Sequence, residues 1–283
     1  MYKILRKKII NESVEEMDIL APFVSEKCEP GQFIILRVDE KGERIPLTIA
    51  DYDREEQSIK IVYQKVGHTT KLLGQKKAGE FIEDFAGPLG KEAPLNKAKR
   101  VIGVAGGVGA APLYPQIKKL KAMGSQVDVI IGARNSEFII FEEEFRKIAD
   151  NLYFATDDGS KGKKGFVTDV LMELLEKGNE YDEAIAIGPV PMMRAVVGVT
   201  KKAEIATSVS LNPIMIDGTG MCGGCRVTIA GETKFACVDG PDFNGFDVDF
   251  EELINRQQHL KSEEKEIEEH HKCKIGLSGG YDD

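Results

Sequence analysis

Two rhythms of apolar and polar positions run along this chain and divide it. In the first part, Gly31-Gln32-Phe33-Ile34-Ile35-Leu36-Arg37-Val38 and Ser58-Ile59-Lys60-Ile61-Val62-Tyr63 are short, rich in β-branched and aromatic residues, and bounded by turn formers. Such stretches read as strands, and their spacing predicts an antiparallel β-barrel or sandwich over residues 1–98. From Arg100 the rhythm changes. Apolar strand candidates at 101–105, 127–131, 152–155, 184–187 and 207–211 alternate with helix candidates such as 114–123, 142–148, 168–176 and 192–203. Alternation at that spacing predicts an α/β doubly wound parallel sheet over residues 99–212. A Gly- and Cys-rich loop follows, then a hairpin from Arg226 to Val238 turning at Ala230-Gly231. Residues 251–271 are dominated by charge and are expected as a solvated helix. The chain is therefore multi-domain, its small C-terminal domain spanning residues 213–283.

Composition narrows the chemistry. With 38 Lys and Arg against 47 Asp and Glu, the net charge is −9. No basic stripe for nucleic acid is expected. No apolar run approaches the roughly 20 residues that cross a bilayer. The basic start Met1-Tyr2-Lys3-Ile4-Leu5-Arg6-Lys7-Lys8 has no apolar stretch behind it, so neither signal peptide nor membrane anchor is expected. The expected location is the cytoplasm, where five cysteines, an odd and clustered set, point to metal or redox chemistry rather than a disulfide framework.

The sharpest motif is Asp217-Gly218-Thr219-Gly220-Met221-Cys222-Gly223-Gly224-Cys225, followed by Cys237. Two thiolates separated by two residues can hold one iron, because glycines let the backbone wrap tightly. Small neighbours also free backbone N–H groups to reach cluster sulfurs. The plant-type pattern C-x4-C-x2-C…C, with Cys222 and Cys225 as its second and third ligands, puts Asp217 in the first position, and Cys237 completes the set. Zinc accepts the same S and O donors and stays open. Cys28 and Cys273 lack ligand spacing.

Two further regions suit nucleotides. Arg44-Ile45-Pro46-Leu47-Thr48-Ile49 offers a guanidinium for a phosphate, an apolar wall in Pro46 and Leu47 for a flavin ring, and the Thr48 hydroxyl for a ring nitrogen. Val66-Gly67-His68-Thr69-Thr70 opens a helix candidate whose N-terminus suits a pyrophosphate. Later, Val101-Ile102-Gly103-Val104-Ala105-Gly106-Gly107-Val108-Gly109-Ala110 reads as strand, Gly-rich turn and helix start, a dinucleotide-binding arrangement. Arg134, Asp157 and Asp158 follow the next two strands, and the acidic pair favours a ribose diol over a 2′-phosphate. Gly188, Pro189 and Met192 follow the fourth, where they could border the nicotinamide.

In this order, Arg44-Ile45-Pro46-Leu47-Thr48, Gly87-Pro88-Leu89-Gly90, Ala105-Gly106-Gly107-Val108-Gly109, Asp157-Asp158-Gly159-Ser160 and the cysteine loop resemble the ferredoxin–NADP reductase superfamily over residues 1–245. Within it the chain is similar to the branch with a C-terminal [2Fe-2S] cluster. That branch includes the electron-transfer subunit of dihydroorotate dehydrogenase and the small subunit of NADH-dependent ferredoxin:NADP oxidoreductase. The former typically offers four cysteines; Asp217 and the extra length after Phe250 resemble the latter. The resemblance implies FAD on the barrel, among Arg44, Pro46, Leu47, Thr48, Val62, Tyr63, Gly67, Thr69 and Thr70. It implies NAD(H) on the sheet, among Gly106, Gly107, Gly109, Ala110, Arg134, Asp157, Asp158, Gly188, Pro189 and Met192. It also implies a heterodimer with a large subunit holding a second FAD and [4Fe-4S] clusters, in which electron bifurcation couples NADH, NADPH and ferredoxin. A dihydroorotate dehydrogenase electron-transfer subunit and a zinc-stapled nucleotide-binding regulator are the alternatives.

Overall fold

The computed structural model describes residues 1–96 and 98–259. Seven strands build the first sheet: β1 (Tyr2–Ile9), β2 (Val14–Leu20), β3 (Phe33–Arg37), β4 (Arg44–Asp53), β5 (Ser58–Gln64), β6 (Phe81–Ile82) and β7 (Asp84–Leu89). They run in the order β6-β1-β2-β5-β4-β3-β7, every neighbouring pair antiparallel. Two short helices, α1 (Pro22–Lys27) and α2 (His68–Gln75), cross between strands. Successive side chains of a strand face opposite sides. Along β4, Ile45, Leu47 and Ile49 accordingly join the barrel core, while Arg44, Pro46 and Thr48 face the other way. A register shift between Ile49 and Asp51 then lets the adjacent Ile49 and Ala50 both be buried, as a bulge does.

The second sheet contains β8 (Arg100–Gly106), β9 (Gln126–Ala133), β10 (Asn151–Thr156), β11 (Lys163–Lys164), β12 (Glu183–Ile187) and β13 (Ala206–Ser210), all parallel. Helices α3 (Ala110–Ala122), α4 (Glu142–Ile148), α5 (Val167–Glu176) and α6 (Val190–Lys202) connect them. Val101, Ile102 and Val104 of β8 are all fully buried. A strand covered on both faces reads as a continuous apolar run rather than an alternation, which is why this half was legible as a parallel sheet.

The C-terminal part carries the hairpin β14 (Arg226–Ile229) and β15 (Glu232–Phe235), turning through Ala230 and Gly231 at φ 52° and 80°. Two consecutive positive φ angles give a turn that matches strand twist. The returning strand stops at Phe235, so Cys237 sits on the helical turn α7 (Ala236–Asp239) instead of on the hairpin. After it, β16 (Asp242–Asn244) adds antiparallel to β13 and completes the sheet order β11-β10-β9-β8-β12-β13-β16. Of the charged stretch 251–271, α8 (Phe250–His259) is helical; the rest, with Cys273, lies outside the described residues.

Two clusters bind the parts into one body. Val14, Ala50 and Val62 of the barrel share a core with Ala105, Ala110 and Leu113. Phe33 and Ile35 of β3 share another with Met215, Cys225, Val227, Ala236 and Cys237. Burying a side chain of that size contributes about 1.5–3 kcal/mol, so the cysteine loop is anchored by the barrel as well as by its own hairpin.

Candidate functional site

The cysteine loop is shaped by Asp217. Its Oδ1 accepts the Thr219 N–H at 2.9 Å and its Oδ2 the Cys222 N–H at 2.8 Å. Backbone donors, the Thr219 N–H first, hold this carboxylate below its usual range. Cys222 is exposed and its Sγ accepts the Gly224 N–H at 3.4 Å. Cys225 and Cys237 are each 1% exposed, and Cys225 Sγ accepts the Cys237 N–H at 3.4 Å. Burial, with the Cys225 sulfur beside it, pushes the Cys237 thiol up to about 12, against the pull of a Gly220 N–H. A thiol buried as Cys237 is becomes thiolate only when a cation compensates the charge, and a coordinated metal does that outright. The donor set therefore fits a thiolate-held metal group. Among the described residues no three Cys, His, Asp or Glu side chains already close into a coordination shell.

Gly218 explains how the loop sits. Its φ is +75°, and an added Cβ would lie 2.6 Å from Ile35 Cδ1 and 2.9 Å from Leu89 Cδ1. The loop backbone thus rests directly on β3 and β7. Ile35 pairs with Pro46 and Phe33 with Thr48, so the same barrel face carries Arg44, Pro46 and Thr48. Arg44 is exposed and reaches Asp84 at 3.4 Å, with Arg37 in register beside it.

Period-two alternation divides the residues expected around a flavin. Leu47, next to Pro46, packs against the barrel core. Tyr63 is 2% exposed and its hydroxyl donates to Glu15 at 2.8 Å; its neighbour Val62 is spent on the joint with the parallel sheet. Successive strand residues point to opposite faces, so Leu47 and Tyr63, turned to the core, do not share the face of Arg44, Pro46 and Thr48, whereas Val62, between Ile61 and Tyr63 of the core, lies on that face. At the start of α2, the Gly67 N–H donates to the Thr70 hydroxyl at 3.1 Å and the Thr69 hydroxyl donates to Glu43 at 3.3 Å. Sequence reasoning missed Ile35 and Leu89 as the floor of the loop. The unbroken apolar run Phe33-Ile34-Ile35-Leu36 was the available signal, since a strand apolar on both faces has a second partner.

At the parallel sheet, order reverses between β9-β8 and β8-β12, which opens the crevice where ligands bind in such folds. The turns after β8 and β12 pack onto each other. A Cβ on Gly109 would stand 2.3 Å from Ile187 O, and one on Gly106 2.5 Å from Met192 Sδ. Gly106 and Gly109 thus permit chain-on-chain contact, whereas Gly107, at φ +55°, borders open space. Ala110 is fully buried, Pro189 exposed, and Met192 bridges Gly106 and Gly188. Past β10, Asp158 Oδ1 accepts the Ser160 N–H at 2.9 Å and its hydroxyl at 2.7 Å. Ser160 Oγ in turn accepts the Ser136 N–H at 2.8 Å. Asp158 therefore clamps this loop to the one carrying exposed Arg134, and Asp157 stands exposed at the strand end.

A barrel and a parallel sheet sharing a core, with a thiol loop laid on the barrel, define a ferredoxin–NADP-reductase-type electron-transfer subunit. Residues 104–198 match the oxidoreductase NAD-binding domain, and residues 212–249 match the iron–sulfur cluster binding domain of dihydroorotate dehydrogenase B. The second match decides between iron–sulfur and zinc. The chain belongs to the family of dihydroorotate dehydrogenase B electron-transfer subunits and their homologues. It is 46% identical over 263 residues to the electron-transfer subunit homolog of Thermotoga maritima, covering 93% of each chain. It is 53% identical over 272 residues to an uncharacterized Clostridium beijerinckii protein of the adh 3′ region, covering 93% and 92%. A chain in the structure of an NADH-dependent reduced ferredoxin–NADP oxidoreductase superposes with a TM-score of 0.90 at 44% identity, over 96% of this chain and 98% of that one. The cytochrome P450 reductase GcoB of Amycolatopsis, at 23% identity and a TM-score of 0.61 over 71% and 65%, shares the fold. The protein is thus an electron-transfer subunit of a multi-subunit oxidoreductase. Among the described residues no helix is long and apolar enough to cross a membrane.

Proposed function

We propose that this chain is the small subunit of a cytoplasmic, bifurcating NADH-dependent ferredoxin:NADP oxidoreductase. In this reading residues 1–98 hold FAD, residues 99–212 hold NAD(H), and residues 213–283 hold a [2Fe-2S] cluster through Asp217, Cys222, Cys225 and Cys237. The observation that carries it is Asp217, which closes the cluster loop where dihydroorotate-type subunits typically place a cysteine. When bound, the nicotinamide and flavin would supply two-electron hydride exchange and the cluster one-electron exchange, the hydride's proton passing to solvent.

The chain's own residues do the positioning. Arg44, Pro46 and Thr48 present a charged and apolar face to the flavin, with the α2 N-terminus at Gly67, Thr69 and Thr70 beside its pyrophosphate. The turn at Gly107, Asp157 and Arg134, and the Gly188-Pro189-Met192 turn orient the dinucleotide. Ile35 and Leu89 hold the cluster loop against the flavin-bearing face. Exposed Met221 and Ile216 rim the loop, an apolar collar suited to a large partner subunit with a second flavin and [4Fe-4S] clusters.

The decisive experiment is metal, sulfide and flavin analysis of the purified chain. Iron and acid-labile sulfide in equal amounts with one FAD support the proposal; zinc without iron ends it. The domain match also favours a dihydroorotate dehydrogenase electron-transfer role. The subunit that co-purifies with the native protein separates the two.

A further inference from the structure

Asp242 is an acidic side chain at the point where all three parts of the molecule meet. It lies on β16, directly opposite Ser210 of β13. Gln116 of α3, 1% exposed, donates its Nε2–H to both carboxylate oxygens at 3.3 and 3.5 Å. From the barrel side comes Gly31, where a Cβ would lie 2.6 Å from Asp242 Oδ2 and 2.7 Å from the Ala93 nitrogen. Just before it, Gly240 O accepts the Lys91 N–H at 2.7 Å and Pro241 O the Leu211 N–H at 2.9 Å. The residue is 9% exposed.

The charged groups on the surrounding elements are engaged elsewhere. Lys119 of α3 pairs with Glu29 at 2.9 Å and Glu92 at 3.5 Å, and Lys91 with Asp239 at 3.9 Å. Ser210, Gln116 and the Gly31 backbone bring no charge. A buried carboxylate without a cation is costly, so burial pushes this carboxyl up to about 7, against the hydrogen bonds from Gln116 and Ser210. Ionised, the carboxylate keeps the hydrogen bonds from Gln116 and Ser210 but carries an uncompensated buried charge at the joint; protonated, it sheds that charge.

We propose that Asp242 is a positioning residue whose protonation locks the barrel, the nucleotide sheet and the iron–sulfur region in one relative orientation, and whose ionisation loosens that joint. The structural part stands by itself; the consequence for hydride transfer rests on the proposed function. A raised acid holds its proton in the native state across a range where the unfolded chain has lost it. The stability it contributes is complete below the unfolded carboxyl range near 4. It is lost as pH rises through about 7.

The test compares wild type with Asp242→Asn, which keeps shape and one acceptor but cannot ionise. Thermal unfolding from pH 4 to 8 should show wild type losing several degrees relative to the variant and levelling off above neutrality. In the flavin-loaded chain, the rate of flavin reduction by NADH should fall several-fold more for wild type than for the variant as pH rises from 6 to 8. Gln116→Leu removes a donor that favours the ionised form, so the stability loss should move to higher pH; this covers the case where Asp242→Asn fails to fold. Parallel stability profiles for wild type and whichever variants fold overturn the proposal. Diverging stability profiles with no NADH-dependent flavin reduction would retain the joint and instead overturn the proposed function.

Discussion

Ile35 Cδ1 lies 2.6 Å from where a Cβ of Gly218 would stand, so the iron–sulfur loop touches the barrel through bare backbone. That contact ties the loop to the barrel face bearing Pro46, the direct cross-strand partner of Ile35.

Gly218→Val should push the loop off this floor. Overpacking costs about 1–3 kcal/mol, and the positive φ adds strain for a β-branched residue. Expected are a lower melting temperature and reduced iron content, with NADH-dependent flavin reduction retained. Thermal unfolding and iron analysis check it. Ile35→Ala, which leaves a cavity instead, should lose about 2–5 kcal/mol.

Asp217 tests the ligand set. Its two oxygens organise the loop through Thr219 and Cys222. Asp217→Ala should abolish cluster assembly, and Asp217→Cys should retain a cluster with an altered potential. Iron content and the visible spectrum are the measurements. A normal cluster in the alanine variant would remove Asp217 from the ligands.

Asp157 and Asp158 should separate in a binding assay. Losing a hydrogen bond to a charged group costs about 1.5–3 kcal/mol. Asp157→Ala should therefore weaken NADH binding roughly tenfold or more while easing discrimination against NADPH. Asp158→Ala breaks the clamp through Ser160 to Ser136 and should weaken both nucleotides alike. Titration of flavin reduction with each nucleotide distinguishes them.

Glu15 sets the acid limit of the barrel. Burial works to raise its carboxyl, but hydrogen bonds from Lys65, Lys7 and Tyr63 outweigh this and hold it below the usual range. Lys65 and Lys7 each approach to 2.9 Å. A lowered native value gives stability that is present above the unfolded value near 4.5 and lost as pH falls through the native one. Wild type should lose melting temperature below that range. Glu15→Gln should flatten the acid branch while lowering stability at neutral pH, checked by thermal unfolding from pH 7 to 3.

Residues near in sequence were legible because their chemistry is local. Asp217, Cys222 and Cys225 fall on one short loop, and Ala230-Gly231 forms the turn its composition implies. Strand-and-helix alternation from Arg100 onward likewise needs only a continuous apolar run for each buried strand. The side chains of Leu47 and Tyr63 were placed beside a ligand because neighbouring residues were taken together, although they turn to the core. The three-residue β16 carried too short a pattern to read.

The sequence by itself determined the kinds of element, the donor loop and the nucleotide turns, since each follows from short-range periodicity, glycine placement or ligand spacing. Only the tertiary structure decided which faces met: Ile35 under Gly218, Tyr63 against Glu15, and Asp242 between Gln116 and Gly31. Those contacts join residues from 48 to more than 200 positions apart. They depend on strand register, on the bulge after Ile49, and on how two sheets pack, none of which a local pattern encodes.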